Sequence, residues 1–133
     1  MMHRYFIIEP LYSDLDTFCN FTVGTGRVRA NIQIYANHDM LVDVVMALSA
    51  PELTREFPEC DVQDLIFDFR VSVMPHGKDG RTVRFQVFQK DMDEGASFMS
   101  DIHFHVSTQQ SLEFARDLDA WLKSKDYPLE WKP

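Results

Sequence analysis

Asp101, His103 and His105 alternate along the stretch DIHFHVS. On a strand that period of two puts all three side chains on one face. Carboxylate and imidazole at this spacing suit zinc, because H-x-H on a strand offers two ligands and a neighbouring strand can add a third. The neighbour decides the matter. In RTVRFQVFQ, Val83, Phe85 and Val87 share one side while Thr82, Arg84 and Gln86 share the other. A hairpin through DMDEG sets Arg84 about opposite His103. A guanidinium there repels a divalent cation and suits Asp101 diagonally across from it. One strand further out, Asp68, Arg70 and Ser72 fall on the same face. The pattern predicts a mixed-charge lattice, with Asp101, His103, His105, Arg84 and Arg70 as a partner-binding surface and no cofactor. The competing reading is a small metal-binding protein or metal-dependent enzyme using His103 and His105. His76 sits in the turn PHGKDG and would complete such a site only if that loop folded over the face.

Other chemistries have less support. Gly24-Thr25-Gly26 lacks the following helix that phosphate binding requires, so it reads as a hairpin turn. Asp91, Asp93 and Glu94 do not have the spacing of a calcium loop and read as a solvated turn. No G-x-S-x-G, H-E-x-x-H or Cys–His signature is present. Cys19 and Cys60 are the two cysteines and are expected as buried thiols in a reducing compartment.

The chain carries 21 acidic against 13 basic residues, a formal charge of −8. Such a surface repels phosphate backbones and anionic membranes, and steers in a basic protein partner. No apolar run reaches the ~18 residues of a membrane span. MMHRYFIIEP, with its short apolar run broken by Glu9 and Pro10, does not fit a signal peptide, so the expectation is a cytoplasmic protein.

The elements that must position these residues follow from periodicity. Arg4–Glu9 is a short apolar strand; Phe18–Val23 is a second, and Val28, Ala30, Ile32 and Ile34 alternate in a third beyond the glycine turn. Met40, Leu41, Val44, Val45 and Leu48 switch to helical spacing, with Pro51 past the end. Residues 52–64 read as a connection with one helical turn at Glu52–Phe57. A three-stranded meander then presents Leu65, Phe67, Phe69, Val71 and Val73, then Val83, Phe85 and Val87, then Phe98, Ile102, Phe104 and Val106. Ser107 and Gln110 form a capping box for a last helix. Its stripe is Leu112, Ala115, Leu118 and Leu122, with Phe114 and Trp121 at the borders. Tyr127 and Trp131 in the extended tail are candidate interface anchors. At 133 residues the chain fits a single domain over 1–133. The expected architecture is two-layer α+β, an antiparallel sheet of about five to six strands with two helices on one face.

Over residues 18–124 this layout is similar to a known family. Strand, turn, the strand VRANIQIYA, a short helix, a meander and FHVSTQQSLEFARDLDAWL together resemble the WapI-like immunity proteins of bacterial polymorphic toxin systems. The resemblance implies a small cytosolic protein that binds and blocks a cognate toxin without catalysis, through variable surfaces. Beside it stands a third reading, a structural or ligand-binding domain that forms a homodimer through its sheet edge or aromatic tail.

Overall fold

The computed structural model describes residues 4–13, 17–36, 38–50, 60–63, 67–89 and 98–133. In chain order they form β1 (Tyr5–Ser13), β2 (Thr17–Gly24), β3 (Arg29–Ala36), α1 (His38–Ser49), β4 (Cys60–Gln63), β5 (Phe67–His76), β6 (Gly80–Gln89), β7 (Phe98–Ser107), α2 (Thr108–Trp121) and β8 (Leu129–Trp131). The class is α+β, as the periodicities require. The layering differs from expectation. In place of one sheet of five to six strands, the described residues form two four-stranded sheets, ordered β3-β2-β1-β8 and β4-β5-β6-β7. Every pairing is antiparallel.

The reason lies in what each greasy face meets. Phe6 of β1 lies 5.8 Å from Phe69 of β5 and 4.8 Å from Phe85 of β6, ring centre to ring centre. Phe21 of β2 stacks on Phe69 at 4.9 Å with nearly parallel planes. The apolar faces of the two sheets thus cover each other. Each such ring buries a large apolar area, and offset stacking adds to the gain. From the helical side Phe114 of α2 closes the cluster, 6.0 Å from Phe6. The helices pack on one another, α1 against β4 and β5 and α2 against β6, β7 and β8.

Two strands arise where alternation gave no signal. β4 lies in the connection expected over 52–64, and β8 lies in the tail. β8 pairs with β1, setting Trp131 against Phe6 and Leu129 against Ile8. β1 itself carries a bulge between Pro10 and Tyr12, which leaves Leu11 unpaired and exposed. Proline lacks the ladder donor, so a bulge is where a strand tolerates it. The expected helical turn at Glu52–Phe57, Leu65 and the DMDEG hairpin loop lie outside the described residues.

The turns behave as their chemistry demands. In the β2–β3 hairpin the Thr25 amide donates to the Val28 carbonyl at 2.8 Å. A Cβ on Gly24 would stand 2.6 Å from the Tyr5 ring, so that close approach needs glycine. The β5–β6 turn is tighter than PHGKDG suggests. Pro75 and His76 still belong to β5, Gly80 pairs with His76, and Gly77 takes the reversal at φ +64°. At the start of α2 both halves of the capping box form, Gln110 N to Ser107 Oγ at 3.0 Å and Ser107 N to Gln110 Oε1 at 2.9 Å. The buried stripe of α2 is rotated from the expected one: Ser111, Phe114, Ala115, Leu118 and Trp121 form it, and Leu112 falls to the border. The aromatic cluster draws the largest side chains inward.

Candidate functional site

β7 carries Asp101, His103 and His105 on its outer face while Ile102, Phe104 and Val106 enter the core. The register sets Arg84 directly opposite His103. From there its guanidinium reaches diagonally to Asp101, Nη2 to Oδ2 at 2.6 Å, with Nε 3.1 and 3.2 Å from the two carboxylate oxygens. This is a fork-on-carboxylate pair, the strongest form of side-chain hydrogen bonding. His103 Nε2 completes the group, 2.9 Å from Asp101 Oδ1. The Arg84 hydrogen bond holds the Asp101 carboxyl below its ordinary value, against a smaller opposing effect of burial.

The next row centres on His105, whose Nδ1 lies 2.9 Å from Thr82 Oγ1. His76 stacks on its ring at 4.1 Å with planes 22° apart. The strand-borne position of His76 makes that contact, because alternation along β5 puts residue 76 on the same face as Arg70 and Ser72. Local loss of water lowers the His105 pKa first, and the charges of His76, His103 and Arg4 lower it further.

On β5, Arg70 donates to Asp68 Oδ2, Nε at 3.1 Å and Nη2 at 3.0 Å, and lies 4.4 Å over the Phe88 ring. Asp68, Ser72, Thr82 and Gln86 are buried beneath these long side chains. The face is therefore a fixed lattice: Arg70 holds Asp68, Arg84 holds Asp101, and the imidazoles are oriented by neighbours. The outer face of the first sheet contrasts with it, since its centre is largely an amide network in which Asn31 donates to Asn20 Oδ1 at 2.8 Å and Thr22 Oγ1 at 2.7 Å.

Five of the residues singled out by pattern, Asp101, His103, His105, Arg84 and Arg70, thus come together on one surface. The two aromatic candidates separate. Tyr127 stays at the surface, 42 % exposed, with its carbonyl accepting from the Trp121 indole at 2.6 Å. Trp131 does not act as a surface anchor: it is 7 % exposed and stacks on Phe114 at 4.5 Å with planes 6° apart. Pairing of β8 with β1 turns it inward.

Asp101 is held by Arg84 and His103, and His105 by Thr82 and His76. Among the described residues no group of three or more His, Cys, Asp or Glu is placed to hold a metal ion. Cys19 is a fully buried free thiol, with burial pushing it up to about 12 despite the opposing charge of Lys125, so it is not a nucleophile at neutral pH.

Pattern gave no warning of Arg81. It sits on the inner side of β6, 2 % exposed. Nη1 donates to the Leu48 carbonyl at 2.9 Å, and Nη2 donates to the Ala50 carbonyl, so the guanidinium closes the C-terminal end of α1. Ser111 Oγ donates to the same Leu48 carbonyl at 2.6 Å and receives Arg81 Nη1 at 3.4 Å. Positive charge at a helix C-terminus is favourable, and orphan carbonyls there need donors. Burial lowers the Arg81 pKa. The signal in sequence would have been a charged residue at an apolar-phase position, since 81 shares parity with Val83 and Phe85.

Comparisons with protein-family models, with curated proteins and with solved structures return no match. No helix among the described residues is long and apolar enough to cross a membrane.

Proposed function

We propose that this is a non-catalytic binding protein, a toxin-neutralising immunity protein of the WapI-like kind, that meets a basic partner in the cytoplasm through the outer face of β5–β7. The observation that carries the reading is the pre-paired lattice, above all Arg84 forked on Asp101 with His103 against the same carboxylate. Side chains fixed on rigid strands lose little freedom on association, so recognition is cheap in entropy. A net charge of −8 favours encounter with a basic toxin domain. Tyr127, exposed beyond α2, supplies a separate aromatic contact.

The test begins with the adjacent gene: a toxin domain encoded there is the expected partner, and its absence would overturn the immunity reading. Purified wild-type protein is expected to bind that domain and to protect cells that express it. Arg84→Glu and Asp101→Lys are expected to weaken binding at least ~10-fold with unchanged circular dichroism. Full affinity in both variants would remove the face from the reading. Metal analysis separates the alternative: stoichiometric zinc in the wild type that is lost in His103→Ala would overturn non-catalytic binding in favour of a metal-dependent role.

A further inference from the structure

The two sheets have four edges, and they are not equally protected. β8 has three residues and β4 has four. β3 runs close beside β4. β7 has ten residues, pairs with β6 without a register shift, and ends its sheet with no strand beyond it among the described residues. Long, regular edges are the ones that recruit another strand.

The direction of the β7 main chain is fixed by two contacts. The Ser107 amide turns to Gln110 Oε1 at 2.9 Å, and the His105 carbonyl accepts from Arg4 Nη1 at 2.5 Å. In an antiparallel ladder the amide and carbonyl of one residue point the same way and alternate along the strand. The main-chain groups of Asp101, His103 and His105 therefore point away from β6, toward the open edge. Asp101 agrees with this. The residue is exposed although its side chain, folded on Arg84 and His103, is only 26 % exposed, so the excess belongs to its main chain.

We propose that a second copy of this chain pairs along this edge, β7 to β7, antiparallel about a twofold axis through His103. That register opposes His103 to His103 of the second copy and Asp101 to His105 of the second copy, twice over. It also directs the Asp101 amide of the second copy at the His105 carbonyl that Arg4 holds in the single chain, so on pairing the Arg4 guanidinium turns from that carbonyl toward the incoming Asp101 carboxylate. An axis through Asp101 would face two carboxylates, and one through Ile102 would also oppose Asp101 to an imidazole, His103 of the second copy, but would carry that carboxylate away from Arg4. The Arg4 guanidinium beside His105 selects the axis through His103. This pairing uses the strand edge rather than the outer face, so it does not rest on the proposed toxin binding and extends that face across the axis.

Single cysteines test the register. Residues facing each other in a hydrogen-bonded antiparallel pair have Cα atoms ~5.5 Å apart, inside disulfide reach. His103→Cys is expected to give a covalent dimer under mild oxidation on a non-reducing gel. His105→Cys stands ~13 Å from its symmetry mate along the ladder and is expected to stay monomeric. Wild type, with Cys19 and Cys60, sets the background, and light scattering of wild type at millimolar concentration is expected to show mass rising toward a dimer. A monomeric wild type throughout that range overturns the proposal, as does cross-linking at 105 equal to that at 103.

Discussion

Arg81 and Arg84 lie three residues apart on β6 and face opposite ways. Arg84 looks outward, half-covered, and finds a carboxylate in Asp101. Arg81 looks inward, 2 % exposed, and its described partners are two main-chain carbonyls and a hydroxyl. The better ion pair is the one that matters less to the fold. In water's reach a fork of hydrogen bonds mostly replaces hydration, and exposed pairs contribute ~0–1 kcal/mol. In the core no water waits to replace a lost donor, so the buried Leu48 carbonyl depends on Arg81 and Ser111, while the part-buried Ala50 carbonyl is held by Arg81. Burial, more than the formal charge of the partner, sets the consequence.

The same substitution at both positions should show it. Arg81→Met retains apolar bulk but strands the Ala50 carbonyl and leaves Leu48 with the Ser111 hydroxyl alone; urea unfolding is expected to show a loss of ~2–4 kcal/mol. Ser111→Ala removes a second donor from that carbonyl, with an expected loss of ~1–2 kcal/mol in the same assay. Arg84→Met is expected to change stability by less than ~1 kcal/mol while abolishing its contact with Asp101. Equal losses at 81 and 84 would defeat the contrast between the two faces.

Acid should sharpen it further. The Asp101 carboxyl is held down in the folded chain, so its contribution is present above the ordinary carboxylate pKa and fades as pH falls through the lower folded value. His105 is also held down, so the unfolded chain binds its proton more readily. Its contribution is full above the ordinary value of 6.5 and is lost as pH falls below that toward the folded pKa. Unfolding midpoints between pH 7.5 and pH 5 are expected to decline slightly, and His105→Gln should flatten the decline at the upper end of that range. A wild-type slope unchanged in His105→Gln would remove that imidazole from the account.

The charged face was readable because strand alternation and a hairpin fix register by local rules. Arg84 opposite His103 needed only the parity of two strands and the hairpin between them. The capping box at Ser107 and Gln110 is equally local. What local rules do not carry is which distant surfaces meet. Phe69 reads as an inward residue and Phe6 and Phe21 only as members of strands, and nothing in their spacing says that they face one another across two sheets. β4 is too short to show alternation. β8 is held by a strand more than a hundred residues upstream, so local pattern left Trp131 open between interface anchor and core cap, and the β1 pairing places it in the core. Arg81 shows the opposite failure. Its charge argued for the outside, and a helix end that only the tertiary fold brings near keeps it inside.

The β1–β8 pairing also sets a schedule. Phe6, Ile7 and Ile8 meet Trp131, Glu130 and Leu129, and a ribosome makes these two segments far apart in time. At ~5–20 residues per second the outer edge of β1 waits ~6–25 s for its mate. Throughout that interval an apolar strand with open hydrogen-bonding groups stands beside a nascent meander able to cover only one of its faces. Completion of the first sheet is thus tied to the end of translation of this region, and a ribosome stalled before Leu129 leaves a three-stranded sheet with an adhesive rim.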